Sequence, residues 1–259
     1  MEPTADLVEI FSSVQGEGPT VGEPTLFVRF GGCDLRCRWC DSPHTWRPSP
    51  RCRLELEPGS GRFREVDNPL PLSSALEAAK ALGLRAHSYV SLTGGEPLLQ
   101  PEAVAALASA LRSEGPRVLL ETHGLAAEAL ADVVACIDLV SMDWKLASDV
   151  RRADSPRGAT AEPFHEQHAA FLRIARRAPE VVVKVVVTPS TECGELDAMS
   201  AAIAAVDAST PVVLQPVTPC GGVREAPAAA SLLAQVRRLR KRLSSVRLIP
   251  QTHKQLGAL

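Results

Sequence analysis

Cys33, Cys37 and Cys40 lie together in the stretch Gly31-Gly32-Cys33-Asp34-Leu35-Arg36-Cys37-Arg38-Trp39-Cys40-Asp41-Ser42, a C-x3-C-x2-C spacing. Three thiolates on one short loop can hold three corners of an iron–sulfur cube. If no fourth cysteine reaches the cube, one iron stays open to a small molecule. The same residues admit two other readings: a structural zinc site completed by His44 or a remote cysteine, and three unrelated thiols. Zinc ligands come more often as separated C-x2-C knuckles, so the crowded triplet favours the cluster. The chain has seven cysteines in all. An odd number with three crowded together fits metal or catalytic use in a reducing compartment better than a disulfide framework. Cys52, Cys136, Cys193 and Cys220 read as packing or incidental thiols.

Thr93-Gly94-Gly95-Glu96-Pro97 has the composition of a backbone that can approach a ligand closely and accept from an ammonium group through free carbonyls. Alone it reads equally as a turn opening a helix. Arg29 sits inside an apolar run, where an unpaired arginine is uncommon, and otherwise reads as an edge charge at the strand end.

The elements that must carry these residues alternate. Apolar strands are expected over 25–30, 88–92, 117–121, 137–141, 181–187, 211–215 and 246–249. Helices are expected at about 73–83, 101–114, 125–135, 164–177, 194–206 and 227–243. Near-continuous apolar strands separated by helices indicate a parallel sheet with covered faces. Glu-Pro, Glu-Thr-His-Gly, Asp-Trp-Lys and Gln-Pro fall at strand ends, where the loops of a parallel barrel converge on one mouth. Neither GxGxxG after the first strand nor GxxxxGK[ST] is present, so a nucleotide-binding doubly wound sheet gains no support. The expected fold is an α/β, incomplete (β/α)6-type barrel in a single domain, 1–259. Stretches 47–70 and 147–162 read as loop insertions from their Pro, Gly and charged content.

Composition narrows the function further. In 259 residues, 28 basic and 30 acidic side chains give a formal charge of −2, and aromatics are 4%. Neither a polybasic nor a base-stacking surface is expected, so no nucleic-acid partner. The run Arg237-Arg238-Leu239-Arg240-Lys241-Arg242 reads as a solvated helix face. No apolar stretch approaches a membrane span and no signal peptide is evident, so a cytoplasmic protein is expected.

The triplet after the first barrel strand, joined to GGEP at the end of the next, resembles the radical S-adenosylmethionine superfamily. Val14-Gln15-Gly16-Glu17-Gly18, Arg29, Asp41-Ser42 and the terminal Gln251-Thr252-His253-Lys254-Gln255-Leu256-Gly257 extend the likeness to the 7-carboxy-7-deazaguanine synthase family. The resemblance implies a lyase that turns 6-carboxy-5,6,7,8-tetrahydropterin into 7-carboxy-7-deazaguanine with loss of ammonia, in queuosine and deazapurine biosynthesis. A 5′-deoxyadenosyl radical would remove hydrogen from C6 of the pterin. Implied cofactors are a 4Fe-4S cluster on Cys33, Cys37 and Cys40, S-adenosylmethionine, and Mg2+ bound to the substrate and to Ser42, where relatives often have Thr. Carried over by position, Val14, Gln15, Gly16, Arg29, Thr93 and the terminal Leu259 would meet the pterin. Gly95, Ser141, Met142, Asp143, Gln215, Pro216, Val217 and Thr218 would meet S-adenosylmethionine. Relatives often read Ser-Pro-Lys where this chain has Ser141-Met142-Asp143, with Lys145 displaced by two positions. Glu121 reads either as a cofactor contact or as a solvated strand end. The resemblance further implies an electron donor such as flavodoxin or ferredoxin, and a homodimer. Two alternatives compete: a radical enzyme that installs a glycyl radical on a partner protein, and a non-catalytic zinc-stabilised interaction module.

Overall fold

The computed structural model describes residues 2–156 and 163–258. Its strands are β1 (Thr4–Ala5), β2 (Leu7–Val14), β3 (Pro24–Phe30), β4 (Leu35–Cys37), β5 (Arg51–Glu55), β6 (Phe63–Asp67) and β7 (Leu70–Pro71). Then follow β8 (Tyr89–Gly94), β9 (Arg117–Thr122), β10 (Leu139–Asp143), β11 (Val150–Arg152), β12 (Glu180–Val187), β13 (Val212–Pro216) and β14 (Val246–Leu248). The helices are α1 (Leu72–Ala81), α2 (Pro101–Arg112), α3 (Ala127–Val133), α4 (His165–Ala175), α5 (Cys193–Asp207), α6 (Ala229–Leu239) and the short α7 (His253–Leu256). None of them is long and apolar enough to cross a membrane.

Ten strands form one sheet in the order β14-β13-β12-β10-β9-β8-β3-β2-β5-β6. From β3 to β14 every neighbouring pair is parallel, and each strand lies one place beyond its predecessor. Right-handed crossovers that always step the same way put their helices on one face. Accordingly α1 to α6 pack side by side, each against the next. A doubly wound sheet would reverse direction; the parallel run from β3 to β14 does not, and so it has the winding of a (β/α) barrel. The two ends of the sheet are not hydrogen-bonded to each other among the described residues, which makes the barrel incomplete. The main core fills the space beneath the helix row, from Leu26 and Phe30 through Leu107, Val140 and Phe171 to Ile203 and Leu239.

Four findings depart from the sequence expectations. Strand β2 is absent from the expected set, because Glu9, Ser12 and Ser13 interrupt its apolar run. The stretch 47–70 holds a hairpin, β5–β6, which pairs with β2 and lengthens the sheet. In β5, Cys52 and Leu54 are buried while Arg51 and Arg53 are exposed, the period-two pattern of a half-buried strand. Within 147–162, β11 pairs antiparallel with β4; residues 157–162 lie outside the described residues. The arginine run is partly a staple rather than a free face: Arg238 donates to both carboxylate oxygens of Asp197, at 2.8 and 2.6 Å, joining α6 to α5.

Candidate active site

The cysteine loop leaves β3 and is fixed from two sides. On one side β4 pairs with β11, with Val150 opposite Cys37 and Arg152 opposite Leu35. Arg38 N donates to Asp149 O at 2.9 Å, and Ala153 N donates to Asp34 O at 2.7 Å. The Asp149 carboxylate, buried, accepts from Arg38 Nη1 and from Thr188 Oγ1, each at 2.9 Å. Asp34 is held by His123 Nε2 at 2.8 Å and by Arg152 Nη1 at 3.3 Å. On the other side Gly222 N donates to Arg38 O at 2.6 Å, and the Cys220 thiol donates to Trp39 O at 3.0 Å. Cys220 is therefore a tie on this loop rather than an incidental thiol.

Cys33, Cys37 and Cys40 line one cleft, about 1320 Å3 of space including its open mouth, at the carboxyl ends of the parallel strands. Burial raises the Cys33 thiol above its ordinary range and pushes Cys37 up to about 12, with the Lys145 ammonium pulling Cys37 the other way. Thiols so desolvated become good ligands when a metal supplies the compensating charge. Three thiols lining one cleft fit three corners of a cube.

The glycines of GGEP answer to packing. A Cβ on Gly95 would stand 2.1 Å from Gly32 O and 2.9 Å from Thr45 O, so the motif lies directly on the cysteine loop. Gly94 has φ +133, and its Cβ would stand 2.3 Å from Phe30 O. Glu96 is fully buried and turns away from the cleft. Its carboxylate accepts from Leu98 N at 3.0 Å, Thr122 Oγ1 at 2.7 Å and His123 N at 2.7 Å, locking the end of β8 to the end of β9.

Thr93, Gly95, Ser141, Asp143, Gln215, Val217 and Thr218 line the cleft. Met142 and Pro216, expected there, do not. Side chains alternate across a strand, so with Ser141 and Asp143 facing the cleft Met142 is driven into the core under the helices. Pro216 is out of phase with Gln215 and Val217 in the same way. Gln215 Oε1 is buried without a partner among the described residues, a vacant acceptor in the cleft wall. This orphan acceptor, in the cleft that Thr93, Gly95 and Ser141 also line, fits S-adenosylmethionine.

Sequence reading missed the charges that join these walls. Lys184 is buried in β12 and pairs with Glu17, and with Asp143 at 3.1 Å. Lys145 pairs with Asp143 at 2.6 Å and lies over the Trp39 ring. Burial would neutralise Lys184, but Asp143 and Glu17 outweigh it and raise its pKa well above the ordinary value. The same cations hold Asp143 and Glu17 below the usual carboxylate range against their burial. Burial prevails at Glu121, whose pKa is raised although Lys184 opposes it. A lysine amid the valines of 181–187 was the available signal for this network.

The N- and C-terminal segments close the far side. Val14, Gln15, Gly16, Arg29 and Ser42 line the cleft with Glu121, Gln251 and His253. Gln15 bridges the cleft floor: its Nε2 donates to Glu121 Oε1 at 3.2 Å and its Oε1 accepts from Glu17 N at 3.0 Å. A Cβ on Gly16 would stand 1.9 Å from His253 Nδ1, so the imidazole rests on that glycine. Gln251 donates to Glu17 Oε1 at 2.7 Å, and Lys254 to Asp41 Oδ2 at 3.0 Å. Ser42 Oγ donates to Asp41 Oδ1 at 3.1 Å. Leu259 lies outside the described residues.

A three-thiol loop after the first strand of an incomplete parallel barrel, with a glycine pair packed on it, defines the class. Residues 27–191 match the Radical SAM superfamily. Within it, the chain is 38% identical over 263 residues to the 7-carboxy-7-deazaguanine synthase of Geobacter sulfurreducens, covering 100% of this chain and 99% of that protein. It is 32% identical over 262 residues to the enzyme of the same name from Methanothermobacter thermautotrophicus, covering 98% and 97%. The chain belongs to the 7-carboxy-7-deazaguanine synthase family. The crystal structure of QueE from Escherichia coli superposes with a TM-score of 0.60 over 98% of this chain and 95% of that one, at 20% identity, a likeness of fold. Membership brings a 4Fe-4S cluster and S-adenosylmethionine as cofactors, and supports neither the glycyl-radical activase nor the zinc module.

Proposed function

We propose that this chain converts 6-carboxy-5,6,7,8-tetrahydropterin to 7-carboxy-7-deazaguanine with loss of ammonia, and that the cleft described above is where it does so. One observation carries the reading: a single cleft gathers the three thiols, Thr93, Gly94 and Gly95, Arg29, and Gln15, Gly16 and Glu17. When bound, the cluster supplies the electron for reductive cleavage of S-adenosylmethionine. Cys33, Cys37 and Cys40 hold it, and the backbone at Gly95 receives the methionine ammonium. Ser141, Asp143, Gln215, Val217 and Thr218 bound the space for the rest of the cofactor. The Arg29 guanidinium pairs with the pterin carboxylate, while Val14, Gln15, Gly16 and Thr93 flank the ring. Ser42, a hard oxygen donor beside Asp41, takes Mg2+. The buried pairs of Lys184 with Glu17 and Asp143 tie β12 and β10 to the N-terminal turn and help exclude water. A flavodoxin or ferredoxin as electron donor, a homodimer and a cytoplasmic setting complete the proposal, on family resemblance.

The test is anaerobic turnover by the reconstituted protein with carboxytetrahydropterin, S-adenosylmethionine, Mg2+ and reductant. The expected product is 7-carboxy-7-deazaguanine with one equivalent of ammonia. A protein with full iron and sulfide content that yields no ring-contracted product overturns the proposal.

A further inference from the structure

Four residues stand in one row across four neighbouring strands. Glu9 of β2 is the register partner of Arg53 in β5 on one side and of Arg29 in β3 on the other, and Arg29 is the partner of Thr93 in β8. Arg29 and Thr93 line the cleft. Glu9 is buried between the two arginines. Its Oε1 accepts from Arg29 Nε at 2.9 Å, and its Oε2 accepts from Arg53 Nη1 at 3.2 Å. The register slips by one residue between Leu7 and Glu9. Such a slip changes which side chains share a face. Here it lets Leu7 enter the core while Glu9 falls on the pleat of Phe11, which lines the cleft. The guanidinium of Arg29 rests over the Phe11 ring, 5.5 Å from its centroid, and Phe11 stacks on Phe27 at 5.0 Å.

A guanidinium offers five N–H donors in a rigid plane. Glu9 engages Nε, an aromatic face supports the plane, and neither Nη of Arg29 has a partner among the described residues. We propose that Glu9 is a positioning residue that aims Arg29 end-on at the cleft and commits that end to a carboxylate. The inference rests on the reading of Arg29 as the partner of the pterin carboxylate. Two guanidiniums against one carboxylate leave one uncompensated positive charge, which one substrate carboxylate completes. Arg53 fixes the far oxygen of Glu9, so the hairpin β5–β6 takes part in the site without touching the cleft. A lysine at position 29 could not be held from the side and still present two parallel donors.

The experiment is equilibrium binding to the reconstituted holoenzyme without reductant. The probes are 6-carboxy-5,6,7,8-tetrahydropterin and 5,6,7,8-tetrahydropterin, which lacks the carboxyl group. Glu9→Leu, which removes both acceptors, is expected to weaken the carboxylated pterin about tenfold and leave the plain pterin within about twofold. In turnover the loss falls on KM rather than kcat. Glu9→Gln keeps an acceptor for Nε and recovers most of the affinity. Arg53→Ala, at a half-exposed side chain, gives about a threefold loss with the same selectivity and stands in should Glu9→Leu fold poorly. The sign is decisive, because both substitutions at Glu9 also remove a negative charge. Were charge the whole effect, both would tighten the carboxylated pterin, and that result overturns the proposal. Equal weakening of both pterins, or no change in any of these variants, also overturns it. Arg29→Gln separates the two layers. If it leaves the preference for the carboxylated pterin intact, the reading of Arg29 fails; if it removes the preference while Glu9→Leu and Arg53→Ala do not, only the positioning role fails.

Discussion

Within Thr93-Gly94-Gly95-Glu96-Pro97 neighbouring residues answer to different constraints. Thr93 faces the cleft, Glu96 faces the protein, and the glycines are set by what lies against them. At Gly95 the neighbours are the backbone carbonyls of Gly32 and Thr45, which cannot rotate out of the way. Gly95→Ala must therefore move the cysteine loop. The expected cost is about 2–3 kcal/mol of stability, typical of overpacking, together with reduced iron and sulfide content after reconstitution. Gly194 is the comparison: it lies in α5, and a Cβ there would meet nothing within 4 Å, so Gly194→Ala should be neutral or stabilising by up to about 1 kcal/mol. Urea denaturation of the two variants measures the contrast, and equal stabilities would show that the cysteine loop yields freely.

Among the elements, β11 bears most directly on the cluster. A strand of three residues has little stability alone, yet it pairs residue for residue with Leu35, Arg36 and Cys37 of the C-x3-C segment. Its anchor is Asp149. Asp149→Ala leaves Arg38 and Thr188 without their shared acceptor, and about 3 kcal/mol of stability should be lost. Bleaching of the visible cluster absorbance in air should accelerate in parallel. Asp154→Ala, on an exposed carboxylate, should stay within about 0.5 kcal/mol of the parent. If both variants bleach at the parental rate, the strand is not a brace. This element is illegible in the sequence, since charge and Pro/Gly content mark its surroundings as a loop and its pairing partner lies far away in the chain. The long parallel strands are legible because burial on both faces makes them continuously apolar. The hairpin β5–β6 is not, because an edge strand carries arginines outward. The site divides the same way. The three cysteines lie within eight residues of one another and announce themselves. Lys184, His123 and Glu9 acquire meaning only through strand alternation and register, and that alternation also removes Met142 and Pro216 from the cleft.

Over the whole molecule, the strand order explains why one cleft can be shared by segments from both ends of the sequence. Stepwise parallel winding brings the carboxyl ends of β3 to β13 to one rim, and the chain's two terminal segments then meet across it. Thr252 N donates to Gly16 O at 2.9 Å, Gln251 reaches Glu17, and Lys254 reaches Asp41. Burial works against ionisation of Asp41, but Lys254, Gln251 and Ser42 together bring its pKa down to about 2. These contacts tie the substrate end of the cleft, while β11, Asp149 and Gly222 tie the cluster end. The two ends should therefore be separable. A chain ending at Pro250 keeps the cysteines and their brace, so its iron and sulfide content after reconstitution should match the full chain. It loses the wall formed by Gln251 and His253, and the ordering of the Gln-Gly-Glu-Gly turn that this wall imposes. Its affinity for carboxytetrahydropterin should fall by at least about tenfold, as expected when a preorganised wall is removed. Binding of S-adenosylmethionine should change less than binding of the pterin. A truncated chain that loses its cluster in proportion to its substrate affinity would mean that the cleft is one cooperative unit rather than two ends held independently.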